Sequence, residues 1–247
     1  MWTKQQLESA FRDLGLSLGD VVLVHSALRQ LGPVAGGAET VIDALLATVG
    51  ASGTVAVPTH TWKVVSSEQP VFHQALTPSN VGALTNVFRR RPEALRSLHP
   101  THSIAAIGAR AQELIVDHEL GDTPFLPGGP YGRLREWGGK ILIIGPGLQC
   151  CTYFHGCEEW AGCGWTGEFQ FYSITAAGQL IPVKMRFGCC NTWDQYPNLE
   201  PGLCQIGALH IGHIGSCALH LLDAKPAADW VIARLREDPG IIFPNDI

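Results

Sequence analysis

With 247 residues, 46% of them hydrophobic and 16% charged, the chain is long enough for a substantial core and too apolar to be disordered. Its 17 basic and 22 acidic residues give a formal charge of -5, which excludes a protein built to neutralise many nucleic-acid phosphates. The opening Met1-Trp-Thr-Lys-Gln-Gln-Leu-Glu has no apolar signal core, and no run of about 18 apolar residues marks a membrane span. A soluble, cytoplasmic protein with no membrane or nucleic-acid partner is expected.

Thr3-x-x-Gln6 reads as a capping box, and Leu7, Phe11 and Leu14 predict a short helix that Gly15 stops. Val21 to Val24 is a continuous apolar run, hence a buried strand, with His25 and Ser26 at its carboxyl end. After a glycine-rich loop over 32–37, Val41, Leu45 and Val49 outline a helix, and Thr54 to Val57 forms the next strand. Pro58-Thr-His-Thr-Trp62 follows it, a polar segment runs to Pro78-Ser79, and Ser79 caps a helix at about 81–90. His99-Pro-Thr-His-Ser103 precedes a strand over Ile104 to Ile107 and a helix at about 109–116. The Pro- and Gly-rich stretch Asp122 to Gly132 predicts a functional surface loop, and a helical turn over 133–137 leads to Lys140 to Ile144, the clearest strand.

Thr152 is the predicted N-cap of the next helix, which puts His155 in the first turn, with Glu158 and Glu159 three and four residues on along the same face. The positive end of the helix dipole favours a neutral imidazole there, the form a general base needs. Residues 169–175 and 180–185 predict an antiparallel hairpin, Cys189 to Gly202 a loop, and Leu203 to Leu222 one or two strands. Pro226 fits the first position of a final helix carrying Trp230, Val231, Ala233 and Leu235. The pattern is that of an α/β fold: a mixed central sheet with flanking helices and an antiparallel, hairpin-rich C-terminal part, in one domain over 1–247. The eight cysteines (Cys150, Cys151, Cys157, Cys163, Cys189, Cys190, Cys204, Cys217) contain no C-x-x-C pair, so they read as thiols packing as small hydrophobes, and no metal is expected.

Four places at strand ends carry histidine or hydroxyl groups: His25-Ser26, Thr59-His60-Thr61, Thr101-His102-Ser103 and the turn from Thr152 to His155. In an open α/β sheet these converge on the crevice outside the carboxyl ends, although His102 and Ser103 precede their strand. A Ser-His-acid hydrolase using Ser26 or Ser103 lacks the G-x-S-x-G elbow. A metal site built from His99, His102, His155 and Glu158, or from His210-x-x-His213, has no defining ligand spacing. Neither Gly32 to Gly37 nor Gly145-Pro-Gly147 has the spacing of a P-loop or dinucleotide fingerprint. On the residues alone, a metal-dependent or triad hydrolase and a non-catalytic binder of small molecules both stay open.

The blocks Val22-Leu-Val-His-Ser-Ala-Leu28, Thr77-Pro-Ser-Asn-Val-Gly-Ala-Leu-Thr85, Leu95-Arg-Ser-Leu-His-Pro-Thr-His-Ser-Ile-Ala-Ala106, Thr123-Pro-Phe-Leu-Pro-Gly-Gly-Pro130, Lys140 to Gly145 and Thr152-x-x-His155-x-x-Glu158 come in an order that resembles the aminoglycoside 3-N-acetyltransferase family. The likeness covers roughly residues 5 to 165, and His-Pro-Thr-His-Ser is its most specific match. It implies transfer of an acetyl group from acetyl-coenzyme A, as co-substrate, to an amine of a small aminoglycoside-like acceptor, in a ternary complex without an acyl-enzyme. By the resemblance, His155 is the base, Glu158 its orienting acid or a ligand of the amine, and His102 a second catalytic group or thioester donor. His25, Ser26, Ala27, Leu28, Thr101 and Ser103 would line the coenzyme channel, with Ala27 offering its backbone where the family often has a second serine. Trp62, Glu159 and Asp194 are the candidate acceptor contacts. From Cys163 onward the likeness weakens, and monomer and dimer are equally compatible with it.

Overall fold

The computed structural model describes residues 1–163, 165–188 and 192–242; Cys189 and Cys190 lie outside them. The chain opens with α1 (Lys4–Leu14), where the capping box forms: Thr3 Oγ1 accepts from the Gln6 amide and the Gln6 side chain accepts from the Thr3 amide. Then come β1 (Val21–Ser26), α2 (Gly37–Val49), β2 (Thr54–Pro58), β3 (Val71–His73), α3 (Ala83–Phe88), β4 (Leu95–Arg96), β5 (Ile104–Gly108), α4 (Ala111–Ile115), α5 (Pro130–Glu136) and β6 (Lys140–Ile144). The second half holds α6 (Tyr153–Ala161), β7 (Trp165–Ile174), β8 (Leu180–Gly188), α7 (Glu200–Gln205), β9 (Leu209–Ile214), β10 (Cys217–Asp223) and α8 (Ala224–Glu237).

Seven strands form one mixed sheet in the order β4-β5-β2-β1-β6-β10-β9, and β3-β7-β8 form a second. The centre β2-β1-β6 is parallel, with Val22 opposite Val55 on one side and Lys140 on the other. Its continuous apolar runs bury both faces, and strand alternation sorts them. Val22, Val24, Val55, Val57, Leu142 and Ile144 pack with α1, α2 and α3. Leu23, Ala56, Ile141 and Ile143 pack with α4, α5, α6 and α8.

Helix α2, between β1 and β2, covers one face, while α4 and α5, which precede β6, cover the other. Chain direction therefore switches around β1, which opens a crevice at the carboxyl ends of β1, β2 and β6. Strand β5 runs antiparallel to β2 with Ile104 opposite Pro58, so its beginning reaches the same edge. That pairing carries His102 and Ser103 to the crevice although they precede their strand.

Several local expectations change. Residues 122–132 are no surface loop: Phe125 and Tyr131 are buried, their rings 4.9 Å apart, and α5 already starts at Pro130. Burying two large aromatics outweighs the turn chemistry of the surrounding Pro and Gly. Ser79 does not cap a helix at 81, because α3 begins at Ala83; its hydroxyl instead accepts from the Val81 amide and the Thr85 hydroxyl. The segments between the expected elements contain β3 and β4, and α7 spans the end of the stretch read as loop and the start of the one read as strand. Pro226 is the third residue of α8, not the first. Among the described residues no helix is long and apolar enough to cross a membrane.

Candidate active site

Helix α6 starts from the β6 edge after Gly145, whose φ of 97° suits glycine and where a Cβ would fall 2.9 Å from Gln30 Cβ. Thr152 is the N-cap residue, but in helical geometry and without a side-chain capping bond. His155 Nδ1 lies 3.0 Å from Glu158 Oε2, the two joined by the i, i+3 spacing of the helix. The Tyr196 hydroxyl donates to Glu158 Oε1 at 2.7 Å and sits 2.6 Å from His155 Nδ1, and the Thr192 hydroxyl also donates to Oε1. With Glu158 acting as acceptor throughout, Nδ1 carries the proton and Nε2 is left as the basic nitrogen. Burial, and then the charge of Glu158, hold the Tyr196 phenol well above its ordinary pKa, so it remains a donor. Gly156 completes this end of the helix: a Cβ there would meet Phe125 at 3.1 Å.

The His155 ring lines a cavity of about 610 Å³ together with His25, Ser26, His60, Trp62, His102, Cys150, Thr152, Trp193 and Tyr196. Behind its wall the imidazoles continue inward. The His60 and His102 rings are 4.8 Å apart, His99 and His102 5.8 Å, and His99 and His118 4.7 Å. Burial lowers His25 to about 4, and His102 and His118 to about 3; it also pushes His60 and His99 well below the ordinary histidine value. At neutral pH this row is uncharged. His118 is fully engaged, Nδ1 with the Ser97 hydroxyl at 2.9 Å and Nε2 with the Pro124 carbonyl at 3.1 Å. His25 Nε2 and His99 Nε2, by contrast, are buried without a hydrogen-bond partner among the described residues.

The cavity wall thus brings together His25, Ser26, Trp62, His102 and His155, with Glu158 directly behind His155. The remaining candidates stand elsewhere. The Ala27 amide donates to the Ile144 carbonyl, and Leu28 packs against the α2 side of the core. The Thr101 hydroxyl holds His102 Nδ1 at 2.8 Å. Ser103 is buried between Thr59 and Arg96, whose guanidinium also binds the carbonyls of Thr59, Gln74 and Thr77 and thereby ties down the segment carrying His60. Glu159 turns to the Thr123 hydroxyl, and burial raises its pKa. Asp194 is exposed beside Trp193.

His210 and His213 line a separate groove between α1 and β9 that shares no residue with this cavity. Among the described residues no group of three or more His, Cys, Asp or Glu is arranged to hold a metal ion. The residues that sequence reasoning missed are Thr192 and Tyr196, which lie in a stretch with neither helical nor strand periodicity, and His118, whose neighbours are ordinary loop residues.

Comparison with known proteins gives a consistent result. The profile described as "Aminoglycoside 3-N-acetyltransferase" matches residues 23–236. Aminoglycoside N(3)-acetyltransferase VII of Streptomyces paromomycinus is 38% identical over 96% of this chain and 93% of its own. The apoenzyme structure of aminoglycoside acetyltransferase AAC(3)-IVa superposes with a TM-score of 0.86 at 26% identity, covering 99% of this chain and 92% of that one. AAC-IIIb in binary complex with CoASH superposes with a TM-score of 0.83 at 25% identity, over 96% and 97%.

Proposed function

The chain belongs to the aminoglycoside 3-N-acetyltransferase family, and on that premise we propose that it is a cytoplasmic, single-domain acyltransferase that moves an acetyl group from acetyl-coenzyme A to an amine of an aminoglycoside-like acceptor. N-acetylation of that kind would inactivate an aminoglycoside antibiotic and confer resistance. The observation that carries the reading is the 3.0 Å contact of His155 with Glu158 at the wall of a cavity whose other imidazoles are neutral. The wall also fits a polar co-substrate: the orphaned Nε2 of His25 beside Ser26 offers a buried nitrogen for an amide or thioester group.

Acetyl-coenzyme A, when bound, supplies the acyl carbon and a sulfur leaving group. His155 Nε2 takes the proton that the acceptor amine loses as its nitrogen bonds to carbon, and it can return that proton to the departing sulfur. Glu158 holds Nδ1–H and stabilises the imidazolium while it lasts, and Tyr196 and Thr192 keep the carboxylate aimed at Nδ1. His102, neutral and held at Nδ1 by the Thr101 hydroxyl, lines the same cavity and is the second catalytic group of this scheme. Thr101 and Ser103 act in this scheme by positioning His102 and the segment bearing His60.

Release of free coenzyme A thiol from acetyl-coenzyme A in the presence of gentamicin, with mass analysis of the acetylated product, tests the proposal. His155→Ala is expected to lower kcat roughly 100- to 10,000-fold, the usual worth of a positioned base. Near-normal turnover by that variant would overturn the mechanism.

A further inference from the structure

Arg96, at the end of β4, is buried, and every hydrogen-bond acceptor that its guanidinium meets among the described residues is neutral. Nε is shared between the hydroxyls of Thr59 and Ser103, at 3.1 and 3.2 Å. One terminal nitrogen donates to the Thr59 carbonyl at 2.9 Å, and the other to the carbonyls of Gln74 and Thr77 at 3.0 and 2.7 Å. The Phe72 ring lies against the group, its centre 4.7 Å from Cζ. Burial, and then the charge of Arg89, lower the pKa to about 9, so the side chain is a cation at neutral pH. A buried charge without an ion partner is costly, and for stability a well-packed apolar side chain often serves as well. What the planar fork adds is geometry, with N–H groups held in fixed directions.

Three segments meet on that fork. Thr59 immediately precedes His60, Ser103 immediately follows His102, and residues 74–77 follow β3 of the small sheet. The first two are paired through their backbones: the Thr59 amide donates to the Ser103 carbonyl at 2.7 Å and the Thr61 amide to the Thr101 carbonyl at 2.9 Å. His60 and His102 therefore stand opposite each other, with rings 4.8 Å apart, and both line the cavity. The Gln74 side chain donates back to the Arg96 carbonyl, and its own amide donates to the Ile174 carbonyl at the end of β7. The small sheet is fastened at the same point. Arg96 itself lines no part of the cavity.

Resting on the acyl-transfer reading, we infer that Arg96 is a positioning residue of the reaction: from behind the cavity wall, the directions of its donors set the spacing and tilt of the His60 and His102 imidazoles. Turnover then depends on a side chain that touches neither co-substrate nor acceptor.

The test uses the full-length protein with Arg96→Lys, which keeps the charge and loses the fork, and with Arg96→Ala, each in thiol-release kinetics with acetyl-coenzyme A and gentamicin. Arg96→Lys should lower kcat roughly 10- to 100-fold and leave both KM values within about threefold, the scale expected when a positioned group shifts by up to about 1 Å. Millimolar methylguanidinium should restore much of the kcat lost in Arg96→Ala, and methylammonium should not. In NMR spectra of the imidazole nitrogens, the His60 and His102 signals should move in Arg96→Lys while those of His155 stay in place. Turnover of Arg96→Lys within about twofold of the unsubstituted protein, loss of kcat with the His60 and His102 signals unmoved, or equal rescue by methylammonium would each overturn the inference. A lower melting temperature with kcat and imidazole signals unchanged would mark Arg96 as structural only and overturn it as well; if Arg96→Ala unfolds, Arg96→Lys carries the same measurements. Absence of thiol release from the unsubstituted protein would refute acyl transfer, and the imidazole signals would still decide whether Arg96 sets the two rings.

Discussion

His155 lies against Phe125 and His118 against Tyr131, yet the same imidazole has different chemistry in the two places. His118 has both nitrogens committed to Ser97 and Pro124 and is driven down to about 3 by burial. His155 has one nitrogen committed, to a carboxylate, and its side chain keeps 29% exposure at the cavity. In the proposed reaction His155 can serve as base because a partner fixes one nitrogen and the cavity leaves the other open. His118 is construction material: neutral, apolar enough to pack, and polar enough to tie the Ser97 hydroxyl to the Pro124 carbonyl.

Removing the feature that separates the two classes should have the largest effect. Glu158→Gln exchanges an obligatory acceptor for a group that can donate to Nδ1, which places the proton on the wrong nitrogen; kcat should fall about 100-fold or more with little change in the acceptor KM, measured by steady-state thiol release. If kcat stays within a few fold, the orienting role is lost and the two classes of histidine are less distinct than their geometry says.

The inner class is best probed through stability. His118→Ala deletes a buried ring and strands the Ser97 hydroxyl and the Pro124 carbonyl, so unfolding free energy in urea should drop by about 2–5 kcal/mol. A still smaller, graded effect should come from acid. His25 and His118 titrate near 4 and 3 when folded but at the ordinary 6.5 when unfolded. Below pH 6.5 the unfolded chain takes up protons that the folded chain refuses, so their contribution is complete above 6.5 and shrinks as pH falls towards 4, by about 1 kcal/mol per pH unit for each. A melting temperature that stays flat from pH 6.5 to about 4.5 would contradict this picture.

Much of the framework was legible in the chain because local chemistry dictates it. The Thr3–Gln6 capping box, the apolar runs of β1, β2 and β6, the turn into α6 and the β7–β8 hairpin each follow from residues close in sequence. His155 and Glu158 are equally local: three residues apart on a helix, they meet whatever surrounds them. Glu159 shows the limit of that logic, since its direction depends on where Thr123 docks, and that is decided by the burial of Phe125.

What the sequence determined by itself was the fold class and the meeting of His155 with Glu158, because helical and strand periodicity and i, i+3 spacing are short-range facts. What only the tertiary structure decided was the company they keep. Antiparallel pairing of β5 with β2 brings His102 to the crevice, and the fold returns Thr192, Trp193 and Tyr196 to α6 from more than thirty residues away. Contacts at that separation are chosen by packing of the whole chain, and no local pattern encodes them.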